Sequence, residues 1–309
     1  MPSPAEILRL ATPLLEDLPG RVRMIVFWGE PDGALDADSQ VTLLGVDGRW
    51  RSLSLRDLGE DRPRFLKPGP GSLAPDGSRW VVVTNSGNHL LDLGTGRLTR
   101  VAGPRRRMFT SWAPDSSAVA LYDLRHADVL VVDRSGALRA TVPLAPGRRV
   151  VHLPDGEPVT LVDAASPHTA GRLRLATYDL DGDLTSEIGC AVPSGSVLAS
   201  VGVTGFDGER INLAGRVAGD AARRYSVVEA ATGAVISDVV VNAPTYVEQW
   251  VGQGFYISPI TGASRTLDIV EPSTGTITTV SHIDPHVGLS GHDNLPASVY
   301  AADLVMGPA

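Results

Sequence analysis

Leu91-Asp92-Leu93-Gly94-Thr95-Gly96-Arg97-Leu98 reads as an apolar run, an acidic residue, a Thr-Gly turn and a second apolar run. The phrase recurs as Leu43-Leu44-Gly45-Val46-Asp47-Gly48-Arg49-Trp50, Val132-Asp133-Arg134-Ser135-Gly136-Ala137-Leu138 and Tyr178-Asp179-Leu180-Asp181-Gly182-Asp183-Leu184. Two further copies are Val228-Glu229-Ala230-Ala231-Thr232-Gly233-Ala234-Val235 and Val270-Glu271-Pro272-Ser273-Thr274-Gly275-Thr276-Ile277. Glycines 48, 96, 136, 182, 233 and 275 therefore lie 40 to 51 residues apart. That period matches one four-stranded blade, so the expected fold is all-β, a β-propeller. Six phrases predict six blades, with seven as the alternative.

A second turn repeats between the first two strands of each expected blade. It reads Ala74-Pro75-Asp76-Gly77, Ala113-Pro114-Asp115-Ser116, Leu153-Pro154-Asp155-Gly156 and Gly205-Phe206-Asp207-Gly208. Pro and Asp suit the opening positions of a tight turn, and Gly supplies positive φ where the chain reverses. Apolar strands follow, such as Trp80-Val81-Val82-Val83 and Val119-Ala120-Leu121-Tyr122, continuous because both faces would be covered by neighbouring blades.

Ser111-Trp112-Ala113-Pro114-Asp115-Ser116 and Leu73-Ala74-Pro75-Asp76-Gly77-Ser78 resemble the WD40-like repeats of TolB-type propellers. That family's phrase is an aromatic residue, Ser-Pro-Asp-Gly, an apolar strand, and a strand ending in Asp before Thr-Gly. The resemblance covers most of residues 65–280. It implies a fold and leaves function open, because such propellers serve many roles. The Gly-His and Trp-Asp pairs of eukaryotic WD40 repeats are absent.

Residues 1–21 form an expected N-terminal helical segment, and residues 22–309 a single propeller domain closed by strands from both ends. Ser3-Pro4-Ala5-Glu6 is a capping box, and Ile7, Leu10, Ala11, Leu14, Leu15 and Leu18 fall at helical spacing. Pro13 interrupts the pattern, so two short helices are the alternative to one. Expected strands at Val22–Trp28, Val41–Val46, Trp50–Leu55, His286–Ser290 and Ser298–Val305 give one strand too many for a single closing blade.

The composition is globular, with 43% hydrophobic and 20% charged residues. A net charge of −8 argues against nucleic-acid binding. The lone cysteine, Cys190, has no disulfide partner in the chain. Lys67 is the only lysine among 27 basic residues, a bias of GC-rich bacterial genomes such as those of actinomycetes. With no signal peptide and no bilayer-spanning run, the expected location is cytoplasmic, without membrane insertion, unless an anchor precedes Met1.

Lettering the strands of a blade A to D outward puts the A–B and C–D turns at one end and the B–C and D–A connections at the other. The B–C set is expected to be long and polar: Glu30–Gln40, Thr84–His89, Asp123–Asp128, Asp163–Gly171, Gly215–Arg224 and Ser258–Arg265. The D–A set includes Ala102–Met108, Gly189–Ser196 and Ser281–His286. His89, His126, His168, His282 and His286 map to this long-loop face, while His152 falls on a strand. Candidate ligand-binding residues are His89, Arg107, Asp123, His126, His168, Arg224, Arg265, His282 and His286. The arginines suit a carboxylate or phosphate, with a solvated loop balancing Asp123, Asp128, Asp163 and Asp220 as the structural alternative. His126, Asp163 and His286 are the candidate catalytic set, since imidazole titrates near neutral pH.

His282, Asp284 and His286 alternate as metal ligands could, but no third element is identifiable, and no metal or cofactor is expected. Asp179-Leu180-Asp181-Gly182-Asp183 fails the calcium-loop register, because Leu184 stands where that loop requires glycine. There is no nucleophile elbow, phosphate-binding glycine loop or Cys/His nucleophile pair. The expected function is a binding or scaffold propeller that engages a protein or small ligand through its long-loop face. The alternative is an enzyme of the lyase, cyclase or hydrolase kind at the channel mouth, in specialised metabolism.

Overall fold

The computed structural model describes residues 9–28, 40–53, 65–66, 72–84, 86–101, 107, 109–123, 125–144, 149–153, 159–161, 172–191, 196–206, 209–217, 222–241, 245–251, 254–261, 264–271, 274, 276–283 and 297–301. Among them the strands fall into six sheets. The first holds β1 (Thr12–Pro13), β2 (Val22–Trp28), β3 (Gln40–Gly45) and β4 (Trp50–Leu53). The second holds β5 (Phe65–Leu66), β6 (Arg79–Thr84), β7 (Gly87–Asp92) and β8 (Leu98–Arg100). The third holds β9 (Phe109–Trp112), β10 (Ala118–Tyr122), β11 (Asp128–Asp133) and β12 (Leu138–Pro143).

The fourth holds β13 (Arg149–His152), β14 (Val159–Leu161), β15 (Arg172–Tyr178) and β16 (Leu184–Ala191). The fifth holds β17 (Ser196–Phe206), β18 (Arg210–Val217), β19 (Arg223–Glu229) and β20 (Val235–Val241). The sixth holds β21 (Thr245–Val251), β22 (Gly254–Thr261), β23 (Ser264–Glu271) and β24 (Thr276–Ile283). The last described strand, β25 (Ala297–Ala301), joins the first sheet by pairing antiparallel with β2, Val26 opposite Val299. Strands β9, β13, β17, β21 and β25 lie side by side in that order, so first strands of successive sheets adjoin.

Side-chain alternation builds the core. Trp80 and Val82 pack with Ile25, Leu43 and Leu53 of the first sheet, whereas Val81 and Val83 pack with Trp112, Val119 and Leu121 of the third. One sheet later the pattern repeats: Ala118, Ala120 and Tyr122 turn the other way, onto Val150 of β13 and Leu153 just beyond it. Each of these strands carries an unbroken apolar run because each face meets a neighbour.

The repeated turns are hydrogen-bonded as their residues require. Asp92 Oδ1 accepts the backbone N–H groups of Gly94 at 2.8 Å and Thr95 at 3.0 Å, and Gly96 takes φ 69°. Asp133 does the same for Ser135 and Ala137, and Asp179 for Asp181 and Asp183. The acidic cluster at 179–183 is thus a turn. Neighbouring turns are also tied together: Leu93 N–H donates to Ser78 O, and Arg134 N–H to Ser117 O.

The N-terminal expectation needs correction. Residues 1–8 lie outside the described residues, and only Arg9 and Leu10 are helical. Thr12–Pro13 instead adds to the outer edge of β4 as a parallel strand, and Leu14 N–H donates to Ser52 O at 2.7 Å. Pro13 has no N–H to sustain a helix, and an edge strand tolerates that loss. Leu14 is then buried with Leu53 and Leu43 rather than on a helix face. The surplus closing strand is resolved among the described residues: β2, β3, β4 and β25 make four, with β1 beyond them. The expected strand at His286–Ser290 lies outside the described residues.

Candidate functional site

The connections at the B–C end differ from expectation. Thr84 pairs with Gly87, and Thr261 with Ser264, so β6–β7 and β22–β23 are tight hairpins. The strands extend through polar residues that the sequence reading gave to loops. The connections between β2 and β3, β10 and β11, β14 and β15, and β18 and β19 are longer.

Four assignments to loops are corrected accordingly. His89 lies within β7, buried, with Nδ1 3.5 Å from Thr84 Oγ1. Arg224 lies in β19 and Arg265 in β23, opposite Ile260 and Ile283. His282 lies in β24, opposite Thr266. His152 is on β13, as expected. Asp163, His168, Asp284 and His286 lie outside the described residues, so the catalytic grouping of His126 with Asp163 or His286 and the His282–Asp284–His286 grouping are not described.

What the structure does bring together is a polar seam between the second and third sheets. Arg107 is 2% exposed, and its Nη2 pairs with Asp128 Oδ2 at 2.5 Å, at the start of β11. Asn88 of β7 clamps the same residue: its Oδ1 accepts Arg107 N–H at 2.6 Å, and its Nδ2 donates to Arg107 O at 2.8 Å. On the opposite side of the third sheet, towards the fourth, Phe109 stacks on Tyr122 with centroids 5.5 Å apart. Tyr122 in turn donates to Val150 O at 3.2 Å, reaching the fourth sheet.

His126 sits half-exposed in the turn that leaves Tyr122, and its N–H donates to Asp123 O at 3.0 Å. Asp123 Oδ1 accepts Arg125 N–H at 2.9 Å, so this carboxylate shapes the turn. Arg224 is held bidentately by Asp238 of β20, with Nε 2.7 Å from Oδ1 and Nη2 2.5 Å from Oδ2. That bond holds the Asp238 carboxyl below the usual carboxylate range and raises Arg224.

Of the expected ligand-binding set, Arg107 is tied to Asp128, Asp123 and His126 belong to the turn that precedes that aspartate, and Arg224 belongs to a separate ion pair. Arg107 is corrected from a surface anion binder to a buried tie between sheets. Asn88 was missed because an amide within an apolar run carries no pattern of its own. Among the described residues, no group of three His, Cys, Asp or Glu side chains converges as metal ligands would. No helix among the described residues is long and apolar enough to cross a membrane.

No protein-family profile and no curated protein sequence matches the chain. Solved structures do. The β-propeller domain of the trilobed protease from Pyrococcus furiosus is similar with a TM-score of 0.54 at 12% identity, over 84% of this chain and 81% of that one. A TolB candidate from Agrobacterium tumefaciens is similar with a TM-score of 0.52 at 12% identity, over 94% and 100%. A chain of a nidogen/laminin complex is similar with a TM-score of 0.50 at 10% identity, over 91% and 99%. At these identities the likeness concerns fold alone. The protein is a β-propeller of TolB-like fold.

Proposed function

We propose that the chain is a six-bladed binding propeller, its ring completed through β2 and β25. In this reading it engages a protein or small ligand at the end that carries the 123–127 turn. The observation that carries this is the contrast between the two ends. At one, short Asp and Gly turns are bonded to one another, as Leu93 to Ser78 and Arg134 to Ser117. At the other, four connections are longer, and the one between Tyr122 and Asp128 carries Arg125 and His126, joining a residue of the Phe109–Tyr122 stack to a residue of the Arg107–Asp128 tie. A rigid scaffold with elaborated connections at one end is the usual arrangement for recognition. Propeller neighbours include a protease's domain and a member of a protein–protein complex, so fold decides neither reading.

The test compares the two ends. His126→Ala with Arg125→Glu alters one end, and Thr95→Arg with Ser135→Arg the other. Each variant is cross-linked in the source cell, and the captured partner is identified by mass spectrometry. Loss of the wild-type cross-link in the first pair alone supports the reading. Loss in the second pair alone, or a turnover that follows His126 without any bound partner, sinks it.

A further inference from the structure

The outer edges of the sheets are unequally protected. On the first sheet, β1 lies along β4 and Leu14 is buried beneath it. Elsewhere the outermost strand ends its sheet among the described residues. Strand β8 is short and ends in Arg100, β12 carries Arg139 and Pro143, and β16 carries Glu187. Such charges and prolines blunt an edge against pairing. Among the described side chains, β12, β16 and β24 each expose one large hydrophobic residue: Leu138, Leu184 and Ile277.

β20 carries a bulge at Ile236, as the other long outer strands do near their starts or within them, but has neither a proline nor a basic residue. Val235-Ile236-Ser237-Asp238-Val239-Val240-Val241 exposes three large apolar side chains: Val235 at 46%, Ile236 at 52% and Val240 at 47%. Its single charge, Asp238, is already matched by Arg224 from the adjacent strand.

We propose that β20 is a self-association edge, on which β20 of a second copy of this chain adds antiparallel about a two-fold axis at Asp238. Two features select a second copy. First, the segment is nearly self-complementary when reversed about Asp238: Val235 meets Val241, Ile236 meets Val240, and Ser237 meets Val239. The two exposed residues flanking Asp238, on its own side of the strand, thus cover each other twice. Second, each copy brings its own Arg224 to the centre. Two like carboxylates then meet as two neutralised pairs, and no outside cation is required. The chain already satisfies a sheet edge this way once, where β1 adds to β4. One strand per copy makes a small interface, so the association is weak and concentration-dependent.

The test is sedimentation velocity of the whole chain from about 1 to about 500 µM, a span that brackets a weak dimer. The expected result is a dimer that grows with concentration and disappears in Ile236→Lys. That exposed substitution should leave the unfolding midpoint unchanged. Register is tested with a short thiol cross-linker in a Cys190→Ser background. Ile236→Cys with Val240→Cys should link copies, whereas Ile236→Cys alone should not, its two thiols being about 13 Å apart along the strands. Three results overturn the proposal. They are a wild-type chain that is monomeric throughout (leaving the edge to a different protein), a dimer that survives both Ile236→Lys and Val240→Lys, and a dimer whose paired cysteines do not link.

Discussion

Val22 donates its backbone N–H to the carbonyl of Gly77 at 2.8 Å, and a Cβ built on Gly77 would stand 2.3 Å from Val22 O. The first strand of one sheet is thereby pressed against the turn of the next. Gly77 also takes φ 69°, which L-residues reach at about 1–2 kcal/mol. Gly77→Ala should therefore cost more than that strain alone, about 3 kcal/mol, because the obstacle is backbone. Gly48→Ala, at φ 77° with open space around it, should cost only the strain. Urea unfolding of both variants measures the difference.

Ser116 holds the left-handed position that glycine holds in the sister turn, with φ 61°. Its buried Oγ accepts Asp76 N–H from the neighbouring sheet at 3.0 Å. Ser116→Ala keeps the strain and loses the bond, and should destabilise by about 1–2 kcal/mol. Ser116→Gly loses the bond but relieves the strain, and should fall within about 1 kcal/mol of wild type. The ranking by thermal or urea unfolding is the check.

The Arg107–Asp128 pair is lopsided, since the arginine is 2% exposed and the aspartate side chain 32%. Asp128→Ala strands a cation in the interior and should cost about 3–5 kcal/mol. Arg107→Met leaves a carboxylate that can turn to water, and should cost less, about 2 kcal/mol. Unfolding midpoints in the reverse order would refute this account of the seam.

Segment 12–18 is held by charge as well as by β1. Arg51, 1% exposed, donates from Nε to Asp17 O at 2.7 Å and grips Asp47 through Nη1 at 2.8 Å and Nη2 at 2.7 Å. Arg51 holds the Asp47 carboxyl far below its ordinary range, and Arg49 foremost, with Arg51, lowers Asp17. A carboxyl depressed on folding stabilises fully above its unfolded pKa of about 3.9, and that stabilisation is lost as pH falls through the depressed values. Amide exchange in residues 12–18 should be slow at pH 5 and accelerate, beyond the intrinsic pH effect, only below about pH 4. In Arg51→Met it should be faster at every pH, with the acid step reduced to the part that Arg49 holds on Asp17.

Val81 and Val82 are adjacent yet belong to different seams. Each change to Ala should cost about 2 kcal/mol, and the double variant should show near-additivity, because the two cavities share no lining. A coupling above about 1 kcal/mol in a double-mutant cycle would show that the sheets do not respond separately.

The sheets were legible because their turns are chemically demanding. Asp92 and Gly96 are required by a specific set of bonds, and the same requirement recurs wherever the phrase does. Thr12–Pro13 was not legible, since its capping and spacing signals are local and its position is decided by Ser52 and Arg51, far along the chain. The hairpin ends were misjudged because outer strands tolerate polar residues, so polarity at Arg224 and His282 does not mark a loop. Site geometry was the least accessible. Arg107 and Asp128 are an obvious charge match, but the burial that turns a surface pair into an internal tie arises only when two sheets meet.

Pairing of β2 with β25 has a consequence for synthesis. A ribosome delivers Ala297–Ala301 only after the other five sheets have followed Val22–Trp28, so the first sheet must wait, one flank uncovered, while all of them are made. Its maturation is therefore governed by elongation rather than by local propensity, and a chain cut short before β25 would leave that flank exposed to aggregation.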